Sequence, residues 1–178
     1  MLRGMLLLLL ACTGTNGSDS VGGCATSGDL SPTCPCDDPS VEIGTGTKAF
    51  QAVSEGGEAT MVHGPQGGWH VLAAAQFENL APIVSIHYTI TVVSSGTVVS
   101  DNSYRVQMVA DGDCTGYFPN MYGYLDVTEL ADGDLDTPPE TLAGQDLLLS
   151  MEVEDTDDRT ATDTLTVVAA LDPVDEEP

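Results

Sequence analysis

The stretch that decides the fold reads Val84-Ser85-Ile86-His87-Tyr88-Thr89-Ile90-Thr91-Val92. Apolar and polar residues alternate strictly along it, which is the period of a β-strand with one face in a core and the other in water. Residues 94–97, Ser-Ser-Gly-Thr, suit a tight hairpin turn because glycine adopts the backbone angles that such turns need. The alternation continues at Tyr104, Val106 and Met108. We therefore predict an antiparallel pair of strands here.

Further short strands are predicted before this pair. Residues 58–63 and 69–77 flank the Gly- and Pro-containing segment 64–68, an arrangement typical of a hairpin. A first strand is expected near residues 48–54. The second strand of the hairpin has an apolar face, formed by Trp69, Val71, Ala73, Ala75 and Phe77.

The second half of the chain continues the pattern. A shorter strand is predicted at residues 122–130, and residues 147–154 are predicted to pair with residues 160–169 across the acidic turn 155–159. The apolar residues expected to face one another across this hairpin are Leu149, Met151 and Val153 on one strand and Leu165, Val167 and Ala169 on the other.

The closing hairpin, residues 152–167, resembles that of bacterial immunoglobulin-like domains, including the polycystic-kidney-disease-type repeats of exported proteins. The resemblance covers 16 of 178 residues and implies a fold, not an activity. Gly112 stands where an immunoglobulin domain would place a tyrosine, two residues before Cys114. With the strand count, we predict an all-β protein: a single immunoglobulin-like antiparallel β-sandwich of about eight strands over residues 41–171, followed by an acidic tail, 172–178.

The charge balance of the chain is extreme. There are 28 Asp and Glu residues against 4 Lys and Arg, a formal net charge of −24. Such a chain cannot neutralise phosphates, so binding to nucleic acid and adsorption to anionic lipid surfaces are both disfavoured. The charge is typical of a solvated surface that keeps an exported protein soluble.

The N-terminus predicts export. Arg3 precedes an apolar run, residues 5–11, that is far shorter than the roughly 20 residues of a membrane span, so residues 1–11 are predicted to be a signal peptide. Leu9-Leu10-Ala11-Cys12 resembles the bacterial lipobox. The resemblance implies cleavage before Cys12, acyl chains on that cysteine and attachment to the membrane through them. By the same resemblance, Thr13 favours the outer membrane, on its periplasmic side or at the cell surface. The alternative is an ordinary signal peptide in which Cys12 has no role.

Residues 12–40 are rich in Gly, Ser, Thr, Asp and Pro and are predicted to be a disordered tether. Four further cysteines are candidates for two disulfides, which allows three pairings: Cys24, Cys34, Cys36 and Cys114. We expect a bridge from Cys34 or Cys36 to Cys114, with Cys24 closing a small loop. A zinc site is not indicated, because the one-residue spacer and the absence of a second cysteine pair depart from the usual pattern.

One acidic segment could bind calcium. Alternating carboxylates at Asp132, Asp134 and Asp136, joined by Glu140, could supply several oxygen ligands to Ca²⁺. The alternative is a hydrated turn without a specific metal. Pro138-Pro139 is expected to prevent a helix from following at once. Thinner acidic sets occur at residues 111–113 and 155–158, and no other cofactor is predicted.

The histidines suggest a weaker metal hypothesis. His63 and His70 could meet at the mouth of their hairpin, with His87 joining only if its strand is a neighbour; exposed polar residues are the default interpretation. No nucleophile elbow or phosphate-binding loop is present. The sequence thus predicts a lipid-anchored surface module with a binding, adhesion or structural role toward a protein or carbohydrate partner, not an enzyme. The alternatives are a calcium-stabilised envelope protein and an exported hydrolase.

Overall fold

The computed structural model describes residues 38–64, 67–130 and 137–172. These residues form an almost purely β structure, which confirms the predicted all-β class. The strands are β1 (Ser40–Thr45), β2 (Gln51–Ala52), β3 (Gly57–His63), β4 (Trp69–Glu78), β5 (Ile83–Val92), β6 (Thr97–Gln107), β7 (Val109–Ala110), β8 (Thr115–Tyr124), β9 (Asp146–Asp155) and β10 (Thr160–Leu171), and one short helix, α1, spans Pro138–Leu142.

One continuous sheet folds into two layers because β4 is shared between them. The main strand order is β2-β1-β4-β3-β10-β9-β5-β6. Strand β8 pairs with one edge of β4 along nearly its whole length, while β3 and β1 divide the other edge between residues 69–71 and residues 74–78. Gly123 of β8 then lies directly against Tyr88 and Ile90 of β5, so the two layers face each other across a common core.

We predicted a wholly antiparallel sheet from the sequence, but one pair of neighbouring strands is parallel. Residues 57–61 of β3 pair in parallel with residues 167–171 of β10. The two strands are separated by most of the domain, which gives the long connection that parallel neighbours require. Hairpin patterns in a sequence indicate pairing only between consecutive strands, so this pairing could not be predicted from them.

The predicted alternation is confirmed where it was clearest. In β5 the residues Val84, Ile86, Tyr88, Ile90 and Val92 are all buried, whereas Ser85 and His87 on the opposite face are exposed. The predicted apolar face of β4 is buried as well, with Trp69 partly covered at its end.

The β9–β10 hairpin has the predicted inner face but different partners across the strands. Leu149 lies opposite Leu165, whereas Met151 lies opposite Asp163. The inward-facing Asp163 carboxylate is hydrogen-bonded, because the main-chain N–H of Ile43 in β1 donates to its Oδ2 at 2.8 Å. Asp163 therefore links the two layers.

Two strand positions and the start of a helix were predicted wrongly. The first strand is β1, which precedes residues 48–54, where only the two-residue β2 forms. The strand predicted at 122–130 ends at Tyr124, because Asp126 Oδ1 accepts hydrogen bonds from the N–H and hydroxyl of Thr128 and turns the chain. Helix α1 begins at the two prolines, which are tolerated in a first helical turn where no N–H donor is needed.

The strand directions give the domain two distinguishable ends. The proximal end holds Asp38, the first described residue, and the connections 79–82, 111–114 and 156–159. The distal end holds the connections 93–96 and 125–130 together with the last residue of β10, Leu171. Main-chain hydrogen bonds close each end, from Asn79 N–H to the Cys114 carbonyl at the proximal end and from Leu125 N–H to the Trp69 carbonyl at the distal end.

Candidate functional site

The calcium hypothesis concerns residues that lie mostly outside the described structure. Asp132, Asp134 and Asp136 are not described, so a site there stays a prediction. Glu140 is described, and its Oε2 accepts hydrogen bonds from the N–H of Thr137 at 2.9 Å and from its hydroxyl at 3.0 Å. These bonds lower the pKa of Glu140 and fix the first turn of α1. In residues 38–64, 67–130 and 137–172, no three His, Cys, Asp or Glu side chains are grouped closely enough to hold a metal ion.

The acidic turn after β9 has a structural explanation. Asp155 is only 5% exposed, and its carboxylate accepts main-chain hydrogen bonds from Ala81 and Asp157 at 2.8 Å and from Arg159 at 3.0 Å. The Arg159 guanidinium also donates to Oδ2, with Nε at 3.1 Å and Nη2 at 3.0 Å. Burial alone would raise the pKa of Asp155, but these donors outweigh it and the net shift is downward. The carboxylate is occupied by protein donors and organises the proximal end.

Of the cysteines predicted to form disulfides, only Cys114 lies among the described residues. Cys12, Cys24, Cys34 and Cys36 lie outside the described residues, whereas Cys114 lies in the turn before β8 with a positive φ of 61°. The Cys114 carbonyl accepts the Asn79 N–H at 2.8 Å, and Asn79 Nδ2 donates to the Asp38 carbonyl at 3.2 Å. The start of the described chain is therefore connected to Cys114 through a single residue.

The three histidines do not form one site. His63 packs edge-on against Trp69, with ring centroids 5.0 Å apart, and His70 packs edge-on against Tyr122 at 4.7 Å. Burial lowers the pKa of His70, and the neighbouring His63 lowers it further, so the ring favours its neutral form. His87 lies on the outer face of β5, in the other layer.

His70, Tyr122 and Tyr124 form an aromatic cluster on the outer face of β4 and β8, near the distal end. Tyr124 pairs directly with His70 across the strands, and the two tyrosine rings stack at 5.8 Å with 15° between their planes. Tyr124 is 59% exposed, so much of its ring is open to a partner. This cluster was not predicted, although Tyr122 and Tyr124 have the two-residue spacing that places both side chains on one face of a strand.

The outer face of β6, β5, β9 and β10 carries an open groove of about 530 Å³. Its prominent side chains are Ser85, His87, Ser103, Arg105, Glu152 and Glu154. His87 Nε2 lies 2.8 Å from Asp101 Oδ1, and Nδ1 lies 3.9 Å from Glu152 Oε2. Both ring nitrogens thus face carboxylates, and in the described part of the chain neither serine hydroxyl is hydrogen-bonded to the ring. This arrangement differs from a Ser-His-Asp nucleophile, in which the histidine must accept the serine proton.

Comparison with known proteins adds one distant structural likeness. No protein-family model matches the chain, and no curated protein matches its sequence. Among solved structures, the CooA pilin subunit from enterotoxigenic Escherichia coli aligns with 75% of this chain and 99% of its own, at 14% identity and a TM-score of 0.36. This degree of likeness does not extend to function. No helix in the described ranges is long and apolar enough to cross a membrane.

Proposed function

We propose that the protein is an exported module of the cell envelope, anchored to the outer membrane through acyl chains on Cys12, on its periplasmic side or at the cell surface. The lipobox resemblance of residues 9–12 motivates the anchor. The observation that carries the proposal is the separation of the two ends. Asp38 lies at the proximal end, while the exposed Tyr124 lies near the distal end. A chain held through its N-terminal segment would therefore present the aromatic cluster away from the membrane.

The role of the module in this proposal is binding or adhesion, with an unidentified protein or carbohydrate as partner. Exposed tyrosines suit this role, because a tyrosine ring offers a large apolar contact surface together with a hydroxyl group, and it loses little conformational freedom when bound. The net charge of −24 disfavours anionic partners and favours neutral or basic ones.

The anchor is tested by metabolic labelling with an alkyne analogue of palmitate. The wild type is compared with Cys12→Ser and with Cys24→Ser, which is a matched cysteine control. We expect label on the wild type and on Cys24→Ser, and none on Cys12→Ser. Equal labelling of all three proteins would remove the anchor from the proposal.

The binding surface is tested with a parent protein that begins at Thr13 and so lacks both the predicted signal peptide and Cys12. Binding to envelope polysaccharide and to envelope protein fractions is measured by co-sedimentation, for the parent, for Tyr124→Ala and for Tyr117→Ala. Tyr117 is a matched control because it lies on the same strand but near the proximal end. We expect only Tyr124→Ala to lose binding while its thermal midpoint stays unchanged. Equal binding by both variants would place the contact surface elsewhere.

A further inference from the structure

We infer that the peptide bond between Asp38 and Pro39 is a site of self-cleavage, in which the Asp38 carboxylate is the nucleophile and Asn79 polarises the carbonyl group. The bond lies directly before the sheet, since β1 begins at Ser40. A cut there leaves all of the described strands in one fragment. The cleavage does not depend on the proposed function, whereas its consequence for membrane attachment does.

The nucleophile is in the same residue as the bond that breaks. When a side-chain oxygen of Asp38 attacks the main-chain carbonyl carbon of Asp38, a five-membered ring closes, and such intramolecular attack has a high effective concentration. The Asp38 side chain is exposed, and its carboxylate has no hydrogen-bond partner among the described residues. It is therefore free to turn toward the carbonyl carbon.

Asn79 supplies a donor to the carbonyl oxygen. Its Nδ2 donates to the Asp38 carbonyl at 3.2 Å. Attack places negative charge on that oxygen, and a fixed donor directed at it stabilises the transition state. Asn79 is held in place by its own main chain, which has a φ of 56° and whose N–H donates to the Cys114 carbonyl at 2.8 Å.

The other side of the bond is held by the sheet. Ser40 pairs with Glu78, and Ser40 Oγ donates to Glu78 Oε2 at 3.4 Å. Pro39 restricts Asp38 to extended conformations. Because Glu78 directly precedes Asn79, both sides of the bond contact the same short stretch of chain, which keeps the carbonyl against its donor.

The reaction is the hydrolysis of one peptide bond by one water molecule. An Asp38 side-chain oxygen bonds to the main-chain carbonyl carbon and forms a cyclic anhydride, while the C–N bond to Pro39 breaks. The electron pair of that bond goes to the proline nitrogen, which takes up protons from solvent and becomes the new N-terminal amine. Water then opens the anhydride and leaves Asp38 with two carboxyl groups. No oxidant or reductant is required.

Cleavage would change how the domain is attached, and this consequence rests on the proposed anchor at Cys12. After the cut, the main chain no longer joins Cys12 to the domain. A disulfide from the N-terminal segment to Cys114, where one has formed, is then the remaining covalent connection. The domain is released when neither connection is left.

The test uses the protein that begins at Thr13, which lacks Cys12, so a failed anchor and a failed cleavage give different results. It is incubated at about pH 7 and at about pH 4.5, which is above the range in which Asp155 loses its stabilising charge. Reduced fragments are quantified over time by mass spectrometry. The chain has one other Asp–Pro bond, between residues 172 and 173, which serves as a reference. Both bonds are also followed in concentrated urea.

We expect cleavage after Asp38 in the folded parent, faster at the lower pH because the leaving nitrogen takes up protons. Relative to the reference bond, the rate should be roughly 2–12-fold higher in the folded protein than in urea, which is the factor that one neutral hydrogen bond supplies. Asn79→Gly removes the donor, tolerates the positive φ and should lose this factor. Asn120→Gly should keep it and is a matched control, because Asn120 also has a positive φ, 60°.

Asp38→Ala removes the nucleophile, so its bond to Pro39 should stay intact while the reference bond is still cleaved. If Asn79→Gly were cleaved at the rate of the parent, or the relative rate were the same in the folded protein and in urea, the role assigned to the fold would be wrong. An intact bond between Asp38 and Pro39 in the folded parent would overturn the site itself.

Discussion

Replacing Asp155 should destabilise the domain more than replacing any other carboxylate in the same turn. The Asp155 side chain is buried and joins the β9–β10 turn to the connection between β4 and β5. Its oxygens accept three main-chain N–H groups and the Arg159 guanidinium. Asp157 lies in the same turn with an exposed side chain, so Asp157→Asn is a matched control.

The expected loss of unfolding free energy depends on which hydrogen-bond donors each variant leaves without an acceptor. Hydrogen bonds to a charged group contribute about 1.5–3 kcal/mol each, but the donors of Asp157 and Arg159 are near the surface and can regain water. Breaking a fully buried ion pair by removing one partner costs about 3–5 kcal/mol, but the Arg159 side chain is 32% exposed and can regain water, so we expect Asp155→Ala to lose about 2–3 kcal/mol. Asp155→Asn retains one acceptor but turns an NH₂ group toward the Ala81 N–H or toward Arg159, so we expect a loss of at least about 2 kcal/mol.

Urea denaturation measures these losses directly. Trp69 is the only tryptophan and packs partly against the core, so its fluorescence reports global unfolding. The free energy of unfolding is taken from the midpoint and slope of each curve. Asp157→Asn should stay within about 0.5 kcal/mol of the wild type. If Asp155→Ala or Asp155→Asn also stays within that margin, the carboxylate does not hold the proximal end together and the reasoning is wrong.

Three further outcomes are expected from the same denaturation assay. Gly123→Ala should cost about 1–3 kcal/mol, since a Cβ there would lie 2.6 Å from Ile90 Cδ1; the cost should shrink in an Ile90→Val background, and strict additivity would contradict the clash. Tyr88→Phe should leave stability unchanged or raise it by up to about 1 kcal/mol, because the Tyr88 hydroxyl is buried without a hydrogen-bond partner among the described residues, and a clear loss would show an unrecognised partner. Folding lowers the pKa of Asp155, so the ionised side chain stabilises the folded state fully above the unfolded pKa of about 3.9, and this contribution is lost as the pH falls through the folded pKa. The difference in unfolding free energy between the wild type and Asp155→Asn should therefore be constant from pH 7 to 5 and narrow below about pH 4. A difference that does not change with pH would exclude the charge as its cause.

The strands that could be predicted are those whose two faces differ. In β5 every second residue is buried, so local alternation alone identifies both the strand and its core face. Strand β1 was missed because it is short and its partner, residues 74–78 of β4, lies far along the sequence. Its stability comes from that pairing and from Asp163, and neither contact leaves a local signal.

The role of Asp155 could not be predicted for a related reason. In the sequence it is one of several carboxylates in an acidic turn, and such clusters suggest cation binding. Its distinguishing donor is the N–H of Ala81, 74 positions away along the chain. Only the fold brings that donor to the carboxylate, and it changes the interpretation of the turn from a metal site to a structural junction.

The position of the aromatic cluster depends on where one strand ends. The predicted strand at residues 122–130 would have begun after β6, which ends at the proximal end, and would have run back antiparallel to it. Tyr122 and Tyr124 would then have lain at the proximal end. Strand β8 instead begins at Thr115 and ends at Tyr124, because its register with β4 sets Thr115 against Glu78 and Tyr124 against His70. The same residues therefore lie at the other end of the domain from Asp38. The register of β4 with β8 therefore determines how far the proposed binding surface lies from the point at which the N-terminal segment joins the domain.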